Sequence, residues 1–207
     1  MANVDDNYLL AIESAISGGS IALFNKGDFV YGASGGNSVS RAEDLLPRII
    51  ELLTEAGLSV GQLKKVGVSL GPGSYTGLRI GIATVMGLCR GLGVDYVGIP
   101  VFDAIAWSRE DRSSIIALPM GRSDICVTGA AVENTTVTTL DGLKALITQS
   151  RPLHLLAHSD LVPDLTDIRT DVVDIGRNLA RFVGAAAFDR PRSSSLDPIY
   201  VHNPRFG

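Results

Sequence analysis

The sequence predicts an α/β protein made of two βββαβα lobes, the second shorter and more divergent than the first. Short apolar or alternating runs come in groups of three, one group starting at Tyr8 and the other at Ile115, divided by glycines and charged turns. After each group, helical spacing of apolar residues alternates with single strand-like runs. No residue-level repeat links the halves, so the duplication is one of element order.

In the first half, Tyr8–Glu13, Ser20–Phe24 and Phe29–Gly32 read as antiparallel strands, separated by Gly18-Gly19 and by Lys26-Gly27-Asp28. Ser40-Arg41-Ala42-Glu43 has the capping-box pattern ahead of Leu45, Leu46, Ile49, Ile50, Leu52 and Leu53, and Gly57 is the expected stop. Pro47 inside this helix removes a backbone donor, so a kink or a later true start is expected. Val66–Leu70 reads as a strand, then a glycine-rich turn, a helix over Gly77–Gly91 and a strand over Tyr96–Ile99.

The second half repeats the order. Strands are expected at Ile115–Leu118, Ile125–Val132 and Val137–Leu140, then a helix opened by Asp141 over Leu143–Ile147. A strand over Leu153–Ala157, a short helix, a strand near Val172–Ile175 and a helix over Leu179–Phe188 follow. The charged stretch Arg109–Ser114 is the expected boundary, giving lobes 1–108 and 109–207, and the tail from Arg190 reads as extended chain. Three antiparallel strands leading a mixed sheet, used twice, is the ribonuclease H-like arrangement of the actin-like ATPase superfamily. Fold alone does not assign chemistry.

Composition narrows the choices. With 207 residues and 45% hydrophobic content the chain buries a substantial core. A net charge of -4 and a pI near 5.3 argue against a protein that grips an RNA backbone alone, since that needs clustered Lys and Arg. Cys89 and Cys126 lack metal or CxxC spacing and read as buried small residues. Asp5 and Asp6 stand where a signal peptide needs basic residues, and no apolar run approaches a membrane span, so a cytoplasmic protein is expected.

The most informative stretch is Gly71-Pro72-Gly73-Ser74-Tyr75-Thr76-Gly77-Leu78-Arg79, placed between a strand and a helix. Gly71 and Gly73 permit a tight turn and Thr76 can cap the helix, leaving first-turn amides for an anion or a close partner backbone. On these residues alone, a purely structural strand-to-helix turn is the plainer reading. The Walker A pattern is not met, because no lysine follows Gly77. Behind it, Gly77 and Gly81 share a helix face with Thr84 and Leu88, which fits close packing either on the chain's own sheet or against another subunit.

The block GPGSYTGLRIGIATVMGLCRGLGVDYVGIPVFDAIA, with the N-terminal LAIESAISGGSIALF and RAEDLLPRIIELLTEAGLSVGQL, resembles the TsaB family, also called YeaZ. The likeness covers the first half in order and spacing; in the second half it rests mainly on Asp197-Pro198-Ile199-Tyr200-Val201. It implies an actin-like fold and a cytoplasmic, non-catalytic subunit of the machinery that forms threonylcarbamoyladenosine at position 37 of tRNA. The implied partners are a second copy of the chain, a catalytic TsaD-like paralogue that holds the metal, and a TsaE-like ATPase, with tRNA met only through the complex. No cofactor is implied for the chain itself. The resemblance places the pairing surface on Arg41–Ala56 and Gly77–Gly91, with Leu45, Ile49, Leu78, Gly81, Ile82, Val85 and Met86 as interface positions.

Departures from that pattern are specific. Glu13 stands at the family's first-strand Asp, Arg41-Ala42-Glu43 replaces HSE, and Pro119–Asp124 replaces the second-lobe DARRGE. Glu13-Ser14-Ala15 therefore reads as a degenerate nucleotide loop, and Gly176-Arg177-Asn178 does not supply the adenosine-binding glycine pair. Two enzyme alternatives remain: a small kinase or ATPase of this fold, and a metallopeptidase-like activity. His154 and His158 have i, i+4 spacing, but in a strand that places them roughly 13 Å apart, too far to share an ion. Ser74 lacks the GxSxG context of a nucleophile. Arg79, a charge in the first helical turn beside the glycine loop, is the polar residue to follow.

Overall fold

The computed structural model describes residues 7–35, 44–109, 113–121, 123–130 and 132–201. Its first sheet contains β1 (Tyr8–Glu13), β2 (Ser20–Asn25), β3 (Asp28–Ser34), β4 (Leu63–Ser69) and β5 (Asp95–Ile99), in the order β3-β2-β1-β4-β5. β1 and β2 pair antiparallel, as do β2 and β3, while β4 and β5 add in parallel. The second sheet contains β6 (Ile115–Met120), β7 (Asp124–Gly129), β8 (Thr136–Thr138), β9 (His154–Ala157) and β10 (Asp171–Asp174), in the order β10-β9-β6-β7-β8. Both sheets have the same strand order and pairing senses, so the predicted duplication and α/β class are borne out.

Helices α1 (Leu45–Glu55) and α2 (Tyr75–Leu92) cover one face of the first sheet. Leu45, Ile49, Leu52 and Leu53 of α1 and Ile82, Val85 and Cys89 of α2 form one core with Leu10, Ile12, Ile21, Leu23, Val66 and Val68. Helix α1 starts late enough that Pro47 falls in its first turn, where no intrahelical donor is required and no hydrogen bond is lost. The capping box expected at residues 40–43 lies outside the described residues. The helix ends as expected: Gly57 takes a left-handed φ of 70°, and its N–H and that of Leu58 donate to Thr54 O and Leu53 O.

Between the two sheets lie α3 (Val101–Arg109) and α5 (Ala180–Ala187). Sequence reading assigns no helix after β5. Val101, Phe102, Ala104 and Ile105 are all buried, so α3 has too little polar face for helical periodicity to stand out. These residues share one core with Ile116, Leu118, Cys126 and Leu156 of the second sheet, and with Leu9, Ala11, Ala22, Phe24 and Val97 of the first. Helix α5, though late in the chain, packs across β1, β2 and β4. Helix α4 (Leu140–Ser150) closes the outer face of the second sheet through Leu143 and Ile147.

In place of a helix between β9 and β10, the second half has one 3₁₀ turn, Val162–Leu165. The tail from Arg190 is extended, as expected, and runs along the first sheet. Ser193 N–H donates to Tyr96 O at 3.1 Å, Ile199 N–H donates to Leu70 O at 2.7 Å, and Leu196 is buried. Lys65 Nζ donates to the carbonyls of Phe188 and Arg190 at 2.6 and 2.9 Å.

Gly184 allows α5 to lie on the sheet, because a Cβ there would run into the Phe24 ring. Gly184→Val is expected to destabilise the protein by about 2 kcal/mol or more through overpacking. Urea denaturation followed by circular dichroism measures the loss.

Candidate functional site

The C-terminal ends of β1 and β4 meet at one place, and the glycine-rich loop is built across it. Gly71 adopts a φ of 106°, a conformation open to glycine and strained for other residues. Its N–H donates to Ser69 Oγ at 3.2 Å and its carbonyl accepts from Val101 N–H at 2.8 Å. Pro72 and Gly73 are buried, and Gly73 abuts Ala15. The helix cap is Ser74 and not Thr76: its Oγ accepts from Gly77 N–H at 3.1 Å while its own N–H donates to Ala15 O at 2.9 Å. Thr76, like Ser74 and Tyr75, is exposed.

The loop amides at positions 71, 74 and 77 thus bond within the chain, and the turn is structural at these positions. Gly77 and Gly81 have a similar role. A Cβ on Gly77 would strike Ser14 O, and one on Gly81 would strike Ser14 Oγ. The smooth helix face is therefore used against the β1–β2 connection of the same chain. Ser14 Oγ donates to Gly77 O at 2.8 Å, which commits this hydroxyl, in the connection after β1, to holding α2.

Interface positions expected from the resemblance divide sharply. Leu45, Ile49, Leu78, Gly81, Ile82 and Val85 are buried inside the chain, because they are the inward stripe of two helices lying on a sheet. In the single chain these side chains serve its own core, and the exposed positions of the same helices form the outer surface. Met86, 53% exposed, remains outside. The outer surface of the same helices presents Leu46 and Ile50 from α1 and Ala83, Met86 and Gly87 from α2. Space is open around Gly87 and Gly91.

Beneath the loop lies a small cavity of about 20 Å³ lined by Glu13, Ser14, Gly18, Gly19, Ser20, Leu45, Arg48 and Ile80. Glu13 is only 1% exposed. One carboxylate oxygen accepts from Ala15 N–H at 2.7 Å; the other has no partner among the described residues. Burial pushes its pKa up from the ordinary 4.5 to about 8, more than backbone hydrogen bonds from Ala15 and Ile16 pull it down. Arg48 Nη1 donates to Gly18 O at 3.3 Å, and its buried Nη2 also lacks a partner among the described residues. Sequence reading missed Arg48, although its spacing from Leu45 and Leu52 places a charge in the apolar stripe of α1.

Arg79 is exposed but not isolated. Its guanidinium carbon lies 3.8 Å from the centre of the Tyr75 ring, and its Nε donates to Tyr200 Oη at 3.3 Å. Tyr75 and Tyr200 stack with centroids 5.0 Å apart, so the closing tail is tied to the loop. In the second lobe, His154 pairs with Asp171 at 3.1 Å. His158 is buried, and its Nδ1 accepts from Asp160 N–H at 3.1 Å, which leaves Nε2 as the protonated nitrogen. Burial lowers its pKa, against the pull of Asp160. Asp160 is itself paired with Arg177 at 2.6 Å. No helix among the described residues is long and apolar enough to cross a membrane.

A carboxyl whose folded pKa is raised contributes stability below its unfolded value that is lost as pH rises through the folded one. Glu13→Gln keeps the shape and removes the titration. The variant is expected to match the parent near pH 4.5 and to exceed it by roughly 4 kcal/mol near pH 8, as measured by denaturant melts across that range.

Residues 38–142, about half of the chain, match the model of the TsaD family, tRNA N6-adenosine threonylcarbamoyltransferase. The tRNA threonylcarbamoyladenosine biosynthesis protein TsaB of Escherichia coli is 30% identical over 112 residues, 53% of this chain and 48% of that one. The TsaB of Bacillus subtilis is 26% identical over 163 residues, 73% of this chain and 68% of that protein. The chain thus spans about half the length of the Escherichia coli relative. YeaZ from Pseudomonas aeruginosa superposes with a TM-score of 0.65 at 17% identity, covering 94% of this chain and 100% of that one. The ethanolamine utilization protein EutJ from Carboxydothermus hydrogenoformans gives 0.58 at 13% identity over 90% and 91%. At those identities the superpositions speak for the actin-like fold alone. Sequence likeness, which is densest in the glycine-loop half, adds the kinship that a shared fold cannot, and the chain belongs to the TsaB (YeaZ) family.

Proposed function

We propose that the chain is a non-catalytic subunit in the formation of threonylcarbamoyladenosine at position 37 of tRNA, where it stabilises a TsaD-like catalytic paralogue. One observation carries this reading: the outer face of α1 and α2 leaves Leu46, Ile50 and Met86 exposed around the small residues Ala83 and Gly87. Helices that present apolar side chains beside a low-relief strip suit close packing against another helix pair. Burying that face would favour the partner conformation that fits it. The same face serves a second copy of the chain when the paralogue is absent, and a TsaE-like ATPase and tRNA join the assembled pair in the cytoplasm.

The first-lobe loop supports the non-catalytic part of the reading. Ser14 Oγ is bonded to Gly77 O, Glu13 is buried with a raised pKa, and the cavity beside them has room for one water-sized atom. A nucleotide phosphate needs far more space and a charged carboxylate to hold its magnesium.

Ile50→Asp and Gly87→Leu each alter only the outer face, and Gly87 has open space where a side chain would go. Both variants are expected to keep the parent's circular dichroism and to lose pairing with the TsaD-like paralogue by tenfold or more. Light scattering after size-exclusion chromatography reads the pairing. Retained pairing in both variants, or ATP hydrolysis by the chain alone, overturns the proposal.

A further inference from the structure

The cavity at the end of β1 has an unusual balance of charge. Its titratable lining among the described residues consists of Glu13 from β1 and Arg48 from α1. The other walls are Ser14, the Gly18-Gly19 turn, Ser20 of β2, Leu45 of α1 and Ile80 of α2, none of which carries charge. Arg48 has no carboxylate within ion-pair range among the described residues, and its Nη2 is buried without a hydrogen-bond acceptor. Arg48 is itself half-buried, but a guanidinium nitrogen buried without an acceptor is costly. Glu13 does not fill that role, because its carboxyl holds its proton up to about pH 8. As a protonated acid it offers an O–H donor where its second oxygen has no partner. The site thus faces inward with one cationic donor and one neutral donor, and it lies at the positive N-terminal end of α1, whose first residue is Leu45.

We propose that this cavity binds a single monoatomic anion, chloride in solution, held between Arg48 Nη2 and the Glu13 carboxyl. Volume selects the ligand. About 20 Å³ accommodates one atom the size of a water oxygen and excludes the four oxygens of phosphate. Binding is linked to a proton: each chloride is taken up with Glu13 in its neutral form, and ionisation of Glu13 replaces the anion with an internal carboxylate. The site ties the β1–β2 turn to the first turn of α1 and is independent of the pairing proposed above.

Thermal unfolding of the full chain, at constant ionic strength in sodium chloride or sodium gluconate, tests the assignment. At pH 6.5, chloride about tenfold above its dissociation constant is expected to raise the midpoint by roughly 3 °C relative to gluconate, and at pH 9 the difference is expected to fall to about a quarter of that. Arg48→Met is expected to abolish the difference. Arg48→Lys keeps the charge and is expected to retain part of it, which separates loss of the site from a general loss of stability. Glu13→Gln keeps a neutral donor at every pH and is expected to show the chloride difference at pH 9 as well. Identical curves in the two salts, a difference unchanged in Arg48→Met, or a larger effect of inorganic phosphate than of chloride overturns the proposal.

Discussion

Helix α2 approaches the β1–β2 connection so closely that its side chains have to disappear at the contact. Gly73, Gly77 and Gly81 meet Ala15 and Ser14 at distances no Cβ tolerates, and the Ser14 hydroxyl and the Ala15 carbonyl bond across to Gly77 and Ser74. Helical glycine is unfavourable by about 0.5–1 kcal/mol against alanine, so two such positions in α2 need an offset. The hydrogen bonds made at this contact contribute to that offset. From this contact follows the position of α2, then that of α1 beside it, and with both the shape of the outer helical face. The same contact packs the chain after β1 tightly against α2, so one packing decision also sets the outer helical face on which the proposed pairing rests.

The two halves of the chain do not stack as independent lobes. Each sheet needs cover on the face it turns toward the other, and that cover is one shared layer made of α3 and α5. Residues from both sheets and both helices form a single core, which couples the halves far more strongly than a hinge of loops would. Asn178 Nδ2 donates to Ile21 O and Ala180 N–H donates to Ser20 Oγ, so the link includes buried polar contacts as well as apolar ones. Angles between the lobes are thereby held by packing, in keeping with a subunit whose proposed task is to present a fixed surface.

Much of this was legible in the sequence where the chain follows ordinary local rules. The strands from Tyr8 and Ser20, the Gly57 stop and the second-half order all come from alternation, turn residues and caps. Reading failed where tertiary contacts outweigh local pattern. Helix α3 is apolar on most sides because it is wedged between two sheets, so no periodicity exposes it. The glycine face of α2 could be read as internal or external, and only the position of Ser14 decides between them. Inward and outward residues of α1 and α2 were not told apart for a related reason: a family-level surface names helices, while burial is settled residue by residue. Arg48 and Tyr200 depend on contacts with chain 30 and 121 residues away, which no local window contains.

The late position of α5 affects how the protein is made. A ribosome delivers the five strands of the first sheet by Ile99, yet the helix that covers their inner face ends only at Ala187. At synthesis speeds of about 5–20 residues per second, Leu9, Ala11, Ala22 and Phe24 wait several seconds or more for their cover. During that interval the nascent chain presents a β-sheet with one bare apolar face, the kind of surface that promotes aggregation. The segment after α5 then pairs Ile199 with Leu70 and Tyr200 with Arg79, so the glycine loop gains these contacts only after α5 has been made.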